Sequence, residues 1–134
     1  MNVLVVDAQG GGIGRQLVAA IKKELPGVEV IAAGTNSAAT STMLKAGADH
    51  ASTGENAIRV CADRADVIIG PIGIVIADSL YGEITPAMAC AIGQSRAKRI
   101  LLPMNHCDNI IVGVGDISTA SLVAETLRQL KDML

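Results

Sequence analysis

The sequence predicts an α/β fold, and three observations support this prediction. Short apolar runs alternate with amphipathic segments of helical period, an order that produces right-handed βαβ units and a parallel sheet. Half of the 134 residues are hydrophobic, yet Tyr81 is the only aromatic residue, and small aliphatic side chains suit strands buried on both faces. A glycine cluster follows the first apolar run, where such folds turn from strand to helix. We therefore expect a three-layer, Rossmann-like domain with a mostly parallel sheet of five or six strands.

The strands are predicted from short apolar runs that end at glycine, proline or polar residues. These runs place strands at residues 3–6, 28–33, 49–52, 65–70 and 99–103, with a sixth at 109–114. Residues 71–81 fit either a helix or extended chain.

The helices are predicted from amphipathic spacing together with caps and stops. They cover residues 13–25, a short segment before Gly47, residues 56–61, a segment from Thr85-Pro86 to about Lys98, and a closing stripe from Leu122 to Leu134. Ser37 or Thr40 is the expected cap of the second helix. Thr85 is the expected cap of the fourth, since proline is tolerated at the first helical position.

Length, charge and cysteine content limit the classes of function. Residues 1–134 fit one Rossmann-like domain. A net charge of −2 and the lack of stacking aromatics argue against a nucleic-acid partner. No leader and no apolar run of membrane-spanning length is recognisable, and Cys61, Cys90 and Cys107 form no CxxC pair. We expect a cytoplasmic protein with reduced thiols and no membrane partner.

The strongest functional signal is the loop that follows the first strand, Gln9-Gly10-Gly11-Gly12-Ile13-Gly14. Glycines allow a tight turn and a close approach to a phosphate, and the start of the next helix favours an anion. The spacing departs from G-x-G-x-x-G, because its third glycine would fall on Arg15. It fits better the T-G-x-x-x-G-I-G loop of short-chain dehydrogenases, with Asp7-Ala8 in place of Thr-Gly. The alternative is a strand-to-helix turn without a ligand.

Two further segments are expected at the same sheet edge, because the carboxyl ends of parallel strands lie together. Thr35, Asn36 and Ser37 stand where a dinucleotide site carries an acidic residue, which weakens an ordinary NAD site. They fit a 2′-phosphate or a smaller phosphorylated ligand, or Asn36 and Ser37 only cap the next helix. Gly70 and Pro71 end the fourth strand. With residues 9–14 these five form the predicted cofactor site, for NAD(P) or another nucleotide, and no metal is expected.

Catalytic residues are not identified by the sequence. The short-chain dehydrogenase pair Tyr-x-x-x-Lys is absent, because Tyr81 is followed four residues later by Thr85. His106, Cys107 and Asp108 lie side by side without the spacing of a metal or catalytic set, so we interpret them as loop residues.

Three hypotheses of function follow from these patterns. The first is a nucleotide- or phosphate-binding protein that uses the glycine loop. The second is a small enzyme for a phosphorylated metabolite, with Asp7, Glu83 or His106 as acid or base. The third is a non-catalytic assembly or sensor subunit, a homo-oligomer whose interface is the apolar run at residues 72–76.

The chain as a whole resembles a family of short bacterial proteins described as a domain of unknown function. The resemblance covers nearly all residues and is carried by several strings, which are the glycine loop, Gly34-Thr35-Asn36-Ser37, Met43-Leu44-Lys45-Ala46-Gly47-Ala48, Thr53-Gly54-Glu55-Asn56-Ala57, Gly70-Pro71-Ile72-Gly73-Ile74 and Gly82-Glu83-Ile84-Thr85-Pro86. The resemblance implies a single domain in a bacterial cytoplasm, and it implies no particular reaction.

Overall fold

The computed structural model describes residues 1–104 and 108–134. Strands and helices alternate in the order β1 (Asn2–Asp7), α1 (Gly12–Glu24), β2 (Glu29–Gly34), α2 (Ser37–Lys45), β3 (His50–Thr53), α3 (Glu55–Arg64), β4 (Val67–Pro71), α4 (Pro86–Gln94), β5 (Lys98–Leu102) and α5 (Thr119–Asp132), with a short 3₁₀ helix, Ile72–Val75, before α4. The strands form one sheet in the order β3-β2-β1-β4-β5, and all four strand pairs are parallel. The predicted α/β fold class is confirmed.

Helices cover both faces of the sheet and produce two apolar clusters. The first cluster joins α1, α2 and α5 to one face, and the second joins α3 and α4 to the other. Along β1, Val3 and Val5 pack into the first cluster while Leu4 and Val6 pack into the second, as expected from the period of two along a strand. The central strands are thus buried on both sides, and their carboxyl ends lie at one edge of the sheet.

The predicted sixth strand at residues 109–114 is wrong. This stretch contains no strand in the structure. Gly113 has a φ of +86°, and the Val114 N–H bonds to the Ile111 carbonyl at 3.3 Å. The segment therefore turns instead of extending, and Ile110 and Val112 are exposed to 88% and 93%.

The bounds of two predicted helices also need correction. The fourth helix ends at Gln94, because Ser95 is extended and its hydroxyl group donates to the Ala62 carbonyl at 2.6 Å. The closing apolar stripe ends at Leu130, and Leu134 lies beyond the end of α5 and is exposed.

One of the two predicted caps is confirmed. Thr85 caps α4 by accepting the Met88 N–H at 3.1 Å. The cap of α2 is neither Ser37 nor Thr40. Asn36 takes this role, as the alternative interpretation of Asn36-Ser37 as a cap predicts, because its side-chain oxygen accepts the Ala39 N–H at 2.9 Å.

The prediction that residues 72–76 form an exposed apolar interface is wrong. Ile74 is fully buried in the cluster under α3 and α4, and Ile72, Val75 and Ile76 are half-buried. The 3₁₀ helix turns Ile74 and Val75 onto the second apolar cluster, so these two side chains pack in the core of the chain itself.

Candidate functional site

Asp7, the last residue of β1, organises the glycine loop from below. Its side chain is 3% exposed. One carboxylate oxygen accepts the Ala8 N–H at 2.8 Å, and the other accepts the Gly14 N–H at 2.7 Å. Burial raises the pKa of the Asp7 carboxyl, the two backbone N–H groups lower it, and the nearby Glu83 carboxylate raises it, with a net increase above 3.8. The carboxyl group of Asp7 is thus occupied in holding the start of α1 against β1.

Gly14 is required by this contact. A Cβ atom at Gly14 would lie 2.9 Å from the Asp7 Cβ and 2.6 Å from the Met43 sulfur. Both distances are too short for real side chains, so only glycine allows the helix to approach the strand this closely.

Gly11 brings the loop against α2. It precedes α1 with a φ of +72°, and a Cβ atom there would lie 3.0 Å from the backbone of Ala39. Gly10 and Gly12 differ, because a Cβ atom at either position would meet nothing within 4 Å. The loop therefore combines two glycines that the fold requires with two that border open space.

Three backbone donors of the glycine loop have no acceptor in the described part of the chain. They are the N–H groups of Gly10, Gly12 and Ile13. Unpaired N–H groups at the start of a helix carry partial positive charge and bind anions.

Glu83 connects the glycine loop to the segment after β2. Its Oε1 atom accepts hydrogen bonds from the Gln9 N–H at 2.9 Å, the Thr35 hydroxyl at 2.7 Å and the Asn36 amide at 2.8 Å. The Asn36 amide also donates to the Gln9 carbonyl at 3.0 Å. The second carboxylate oxygen, Oε2, has no partner among the residues that the structure describes.

These contacts set the charge of Glu83. Desolvation raises the pKa of its carboxyl, but the hydrogen bonds from Gln9, Thr35 and Asn36 outweigh this and hold the pKa below its ordinary value of 4.5. Charged acceptors form stronger hydrogen bonds than neutral ones. The three segments are therefore joined by a carboxylate, which lies at the carboxyl ends of β1 and β2.

A tightly turned segment between the 3₁₀ helix and α4 holds Glu83 in place. Asp78, Leu80 and Tyr81 have φ values between 57° and 63°, a region that costs about 1–3 kcal/mol for residues other than glycine. The segment is tied by backbone hydrogen bonds from Asp78 to Ile84 at 2.7 Å and from Glu83 to Leu80 at 3.2 Å. Buried Leu80 and Ile84 anchor it in the core, while Tyr81 is 98% exposed.

The structure brings most of the predicted site residues together. The loop residues Gln9 to Gly14 lie beside Thr35 and Asn36, and Ser37 is the exposed first residue of α2. Gly70 and Pro71 differ, because both are buried in β4, and a Cβ atom at Gly70 would lie 2.6 Å from the Val6 carbonyl oxygen.

Three adjacent residues considered for chemistry do not add to this site. His106 and Cys107 lie outside the described residues, and Asp108 is exposed. Within the described ranges, no group of three or more His, Cys, Asp or Glu side chains could hold a metal ion.

Glu83 is one of the possible acids or bases in the sequence, but it is not among the residues predicted for the cofactor site. Its partners are 47, 48 and 74 residues away along the chain, so no local spacing indicates them. In the sequence, this position is marked by the glycine that precedes Glu83. In the structure, Gly82 has a φ of +83° and turns the chain beside the carboxylate.

A concavity lies away from these residues. A groove of about 820 Å³ runs between α3 and α4 and is lined by residues that include Arg59, Asp63, Arg64 and Cys90. We place the candidate site at the glycine loop because polar groups from three segments converge there around one carboxylate. No helix in the described ranges is long and apolar enough to cross a membrane.

Two comparisons with known proteins, one with family models and one with solved structures, give matches over nearly the whole chain. None of the curated proteins matches it. Among solved structures, it is similar to a dodecameric FMN-dependent UbiX-like decarboxylase from Escherichia coli O157:H7, with a TM-score of 0.49 and 20% sequence identity over 99% of this chain and 76% of the other. The family model for a domain of unknown function, DUF3842, matches residues 2–134. The chain therefore belongs to the DUF3842 family.

Proposed function

We propose that this protein binds a nucleotide-type ligand at the carboxyl edge of its sheet, with the glycine loop at a phosphate and Glu83 at the ribose. One observation carries the proposal. Glu83 Oε1 accepts hydrogen bonds from the loop after β1 and from the segment after β2, while Oε2 keeps its hydrogen-bonding capacity. The ligand would complete a polar site whose frame is already formed by the chain.

The phosphate end of the site is assigned to the free backbone donors. The N–H groups of Gly10, Gly12 and Ile13 would bind phosphate oxygens, supported by the dipole of α1. Gly10 and Gly12 border open space, so a phosphate can approach the backbone closely. Gly11 and Gly14 support the loop from behind through their close contacts with Ala39 and Asp7.

The ribose end of the site is assigned to Glu83. In dinucleotide-binding folds, an acidic residue at the end of the second strand accepts hydrogen bonds from ribose hydroxyls. This chain has Thr35 and Asn36 there, and both donate to Glu83. The carboxylate that the second strand lacks is thus supplied by the segment before α4, and Ser37 offers an exposed hydroxyl group beside it.

The charge of the site limits the ligand. Asp7 and Glu83 place two carboxyl groups at the glycine loop, and each repels further negative charge. We therefore expect mononucleotides such as AMP and FMN, or dinucleotides such as NAD(P), to bind more tightly than triphosphates. Gly70 and Pro71 are assigned a supporting role, because their burial lets β1 and β4 lie close behind the loop.

The proposal is tested by measuring the melting temperature of the purified protein with NAD, NADP, FMN, AMP and ATP. A ligand that binds only the folded state raises the melting temperature according to its concentration and affinity. We expect a shift with at least one of these ligands, smaller in Gly12→Ala and Glu83→Gln than in the wild type. The Gly12 variant keeps the fold, because the added methyl group meets nothing within 4 Å.

Gly27→Ala is the matched control. A methyl group added at Gly27 would also meet nothing within 4 Å, and this residue lies before β2 at the opposite edge of the sheet. Its ligand-induced shift should equal that of the wild type. No shift with any of the five ligands, or an undiminished shift in both site variants, would contradict the proposed function.

A further inference from the structure

The exposed aliphatic side chains of this protein are concentrated in one segment. Of ten exposed large hydrophobic residues in the described ranges, four lie between residues 110 and 117. Ile110 and Val112 are 88% and 93% exposed, and Ile117 and Val114 are 49% and 39% exposed. We name residues 108–118, between β5 and α5, the β5–α5 arm. Clustered apolar side chains of this kind mark association surfaces.

The arm has the pattern of a strand but no strand beside it. Ile110, Val112 and Val114 stand at alternate positions and are β-branched, a pattern typical of strands. In the described structure, the arm pairs with none of the five strands. Its apolar side chains therefore require a surface that the chain does not provide by itself.

The outer edge of β5 is a matching surface. β5 pairs with β4 on one side, and no described strand pairs with its other side. Ile100 and Leu101 on this strand are half-buried. A free edge with aliphatic side chains accepts an added strand through main-chain hydrogen bonds. The other edge strand, β3, reads His-Ala-Ser-Thr and offers little apolar surface.

The charges of the two elements are complementary. β5 begins with exposed Lys98 and Arg99. The arm carries exposed Asp108 and Asp116 on either side of its aliphatic residues. An acidic arm with an apolar centre thus fits an edge that begins with basic residues and continues with aliphatic ones, and both elements belong to the same chain.

We propose that two copies of this chain associate by exchanging arms, so that the β5–α5 arm of each copy, which turns at Gly113 in the single chain, extends and adds a strand to the β5 edge of the other. A two-fold exchange uses the same pair of elements twice, so that the β5 edge of each copy is paired and the assembly is closed. This inference is independent of the proposed nucleotide site.

The test uses sedimentation velocity of the full chain at micromolar concentrations. The wild type should sediment as a dimer or as a larger assembly built from dimers. The double variant Ile110→Asp, Val112→Asp should be predominantly monomeric. Docking of its arm would bury two unpaired carboxylates, which weakens association by at least about tenfold. Leu44→Asp is the matched control, since Leu44 is an exposed aliphatic residue on α2. It should associate like the wild type.

Hydrogen exchange measured by mass spectrometry identifies the receiving surface. Backbone amides of residues 98–102 should exchange faster in the double variant than in the wild type, because the outer edge of β5 loses its partner strand. The circular dichroism spectrum verifies that the variant is folded. A monomeric wild type, a double variant that stays associated, or a dissociated variant with unchanged exchange at β5 would each overturn the proposal.

Discussion

Two segments leave the sheet at its carboxyl edge from neighbouring strands, and they use their side chains in opposite ways. Residues 76–85 follow β4, and the β5–α5 arm follows β5. The first segment is tied by several backbone hydrogen bonds and buries Leu80 and Ile84 in the core. The arm leaves Ile110 and Val112 almost fully exposed.

The difference shows what positions a functional side chain in a loop. Residues 76–85 hold three non-glycine residues at positive φ, a conformation that persists only where surrounding contacts determine it. Burial of Leu80 and Ile84 supplies those contacts, and the result is a fixed Glu83. The arm is also rich in aliphatic residues but has no core to receive Ile110 and Val112, so it remains available to another surface.

The largest expected effect comes from breaking the anchor of the first segment. Ile84 is fully buried in the cluster under α3 and α4. We expect Ile84→Ala to lower the free energy of unfolding by about 2–5 kcal/mol, because it removes buried methyl groups and leaves a cavity. Urea denaturation followed by circular dichroism measures this loss. A loss below about 1 kcal/mol would mean that the segment is not anchored as described.

Removal of the carboxylate itself should have a smaller effect. Glu83→Ala leaves the Gln9 N–H, the Thr35 hydroxyl and the Asn36 amide without their common acceptor. Since Glu83 is partly exposed, water replaces some of these bonds, and we expect a loss of about 1–2 kcal/mol. Glu29→Ala is a suitable control, because Glu29 is an exposed carboxylate that lies 4.0 Å from the His50 ring nitrogen Nε2. Equal losses in both variants would show that the three hydrogen bonds contribute nothing specific.

The sequence predicts the frame of the site much better than its centre. The strands and most helices follow from apolar periodicity, and periodicity is a local property. The glycine loop is visible for the same reason, since a strand, four glycines and a helix follow one another directly. The network around Glu83 depends on contacts across 47 to 74 residues, and no local pattern encodes them.

Two apolar runs were assigned wrongly from the sequence, and for the same reason. Residues 72–76 and 109–114 are both short apolar runs, and composition alone assigned one to a surface and the other to the sheet. The structure reverses this, because Ile74 turns into the core while the second run turns at Gly113 and pairs with none of the described strands. Whether an apolar run is buried depends on which elements surround it after folding.

The contribution of Glu83 to the stability of residues 76–85 should depend on pH. The pKa of Glu83 is lowered from 4.5, so its ionised form stabilises the folded state above pH 4.5 and this stabilisation is lost as the pH falls through the lower folded-state pKa. We expect the difference in melting temperature between wild type and Glu83→Gln to be largest near neutral pH and to shrink on acidification. Thermal unfolding across this range measures it.

The contribution of Asp7 to stability changes with pH in the opposite direction, because its pKa is raised and not lowered. Its pKa is raised from 3.8, so its contribution to stability is present below pH 3.8 and is lost as the pH rises through the raised folded-state pKa. Both proteins in the comparison retain Asp7, and the Glu83 charge is the smallest of the causes that shift the pKa of Asp7, which leaves Glu83 itself as the main source of the difference. A difference that grows on acidification would contradict the lowered pKa of Glu83.

The smallest expected effect completes the comparison with an identical substitution in the arm. Ile110→Ala removes the same atoms as Ile84→Ala, but Ile110 is 88% exposed in the single chain. We expect the free energy of unfolding to change by less than about 0.5 kcal/mol, because no packed neighbour is lost. The measurement requires submicromolar protein, where association contributes little to stability. At higher concentrations, the wild type should gain stability with concentration and Ile110→Ala should gain less. A large, concentration-independent loss would instead mean that the arm packs on its own chain, and the contrast between the two segments would then disappear.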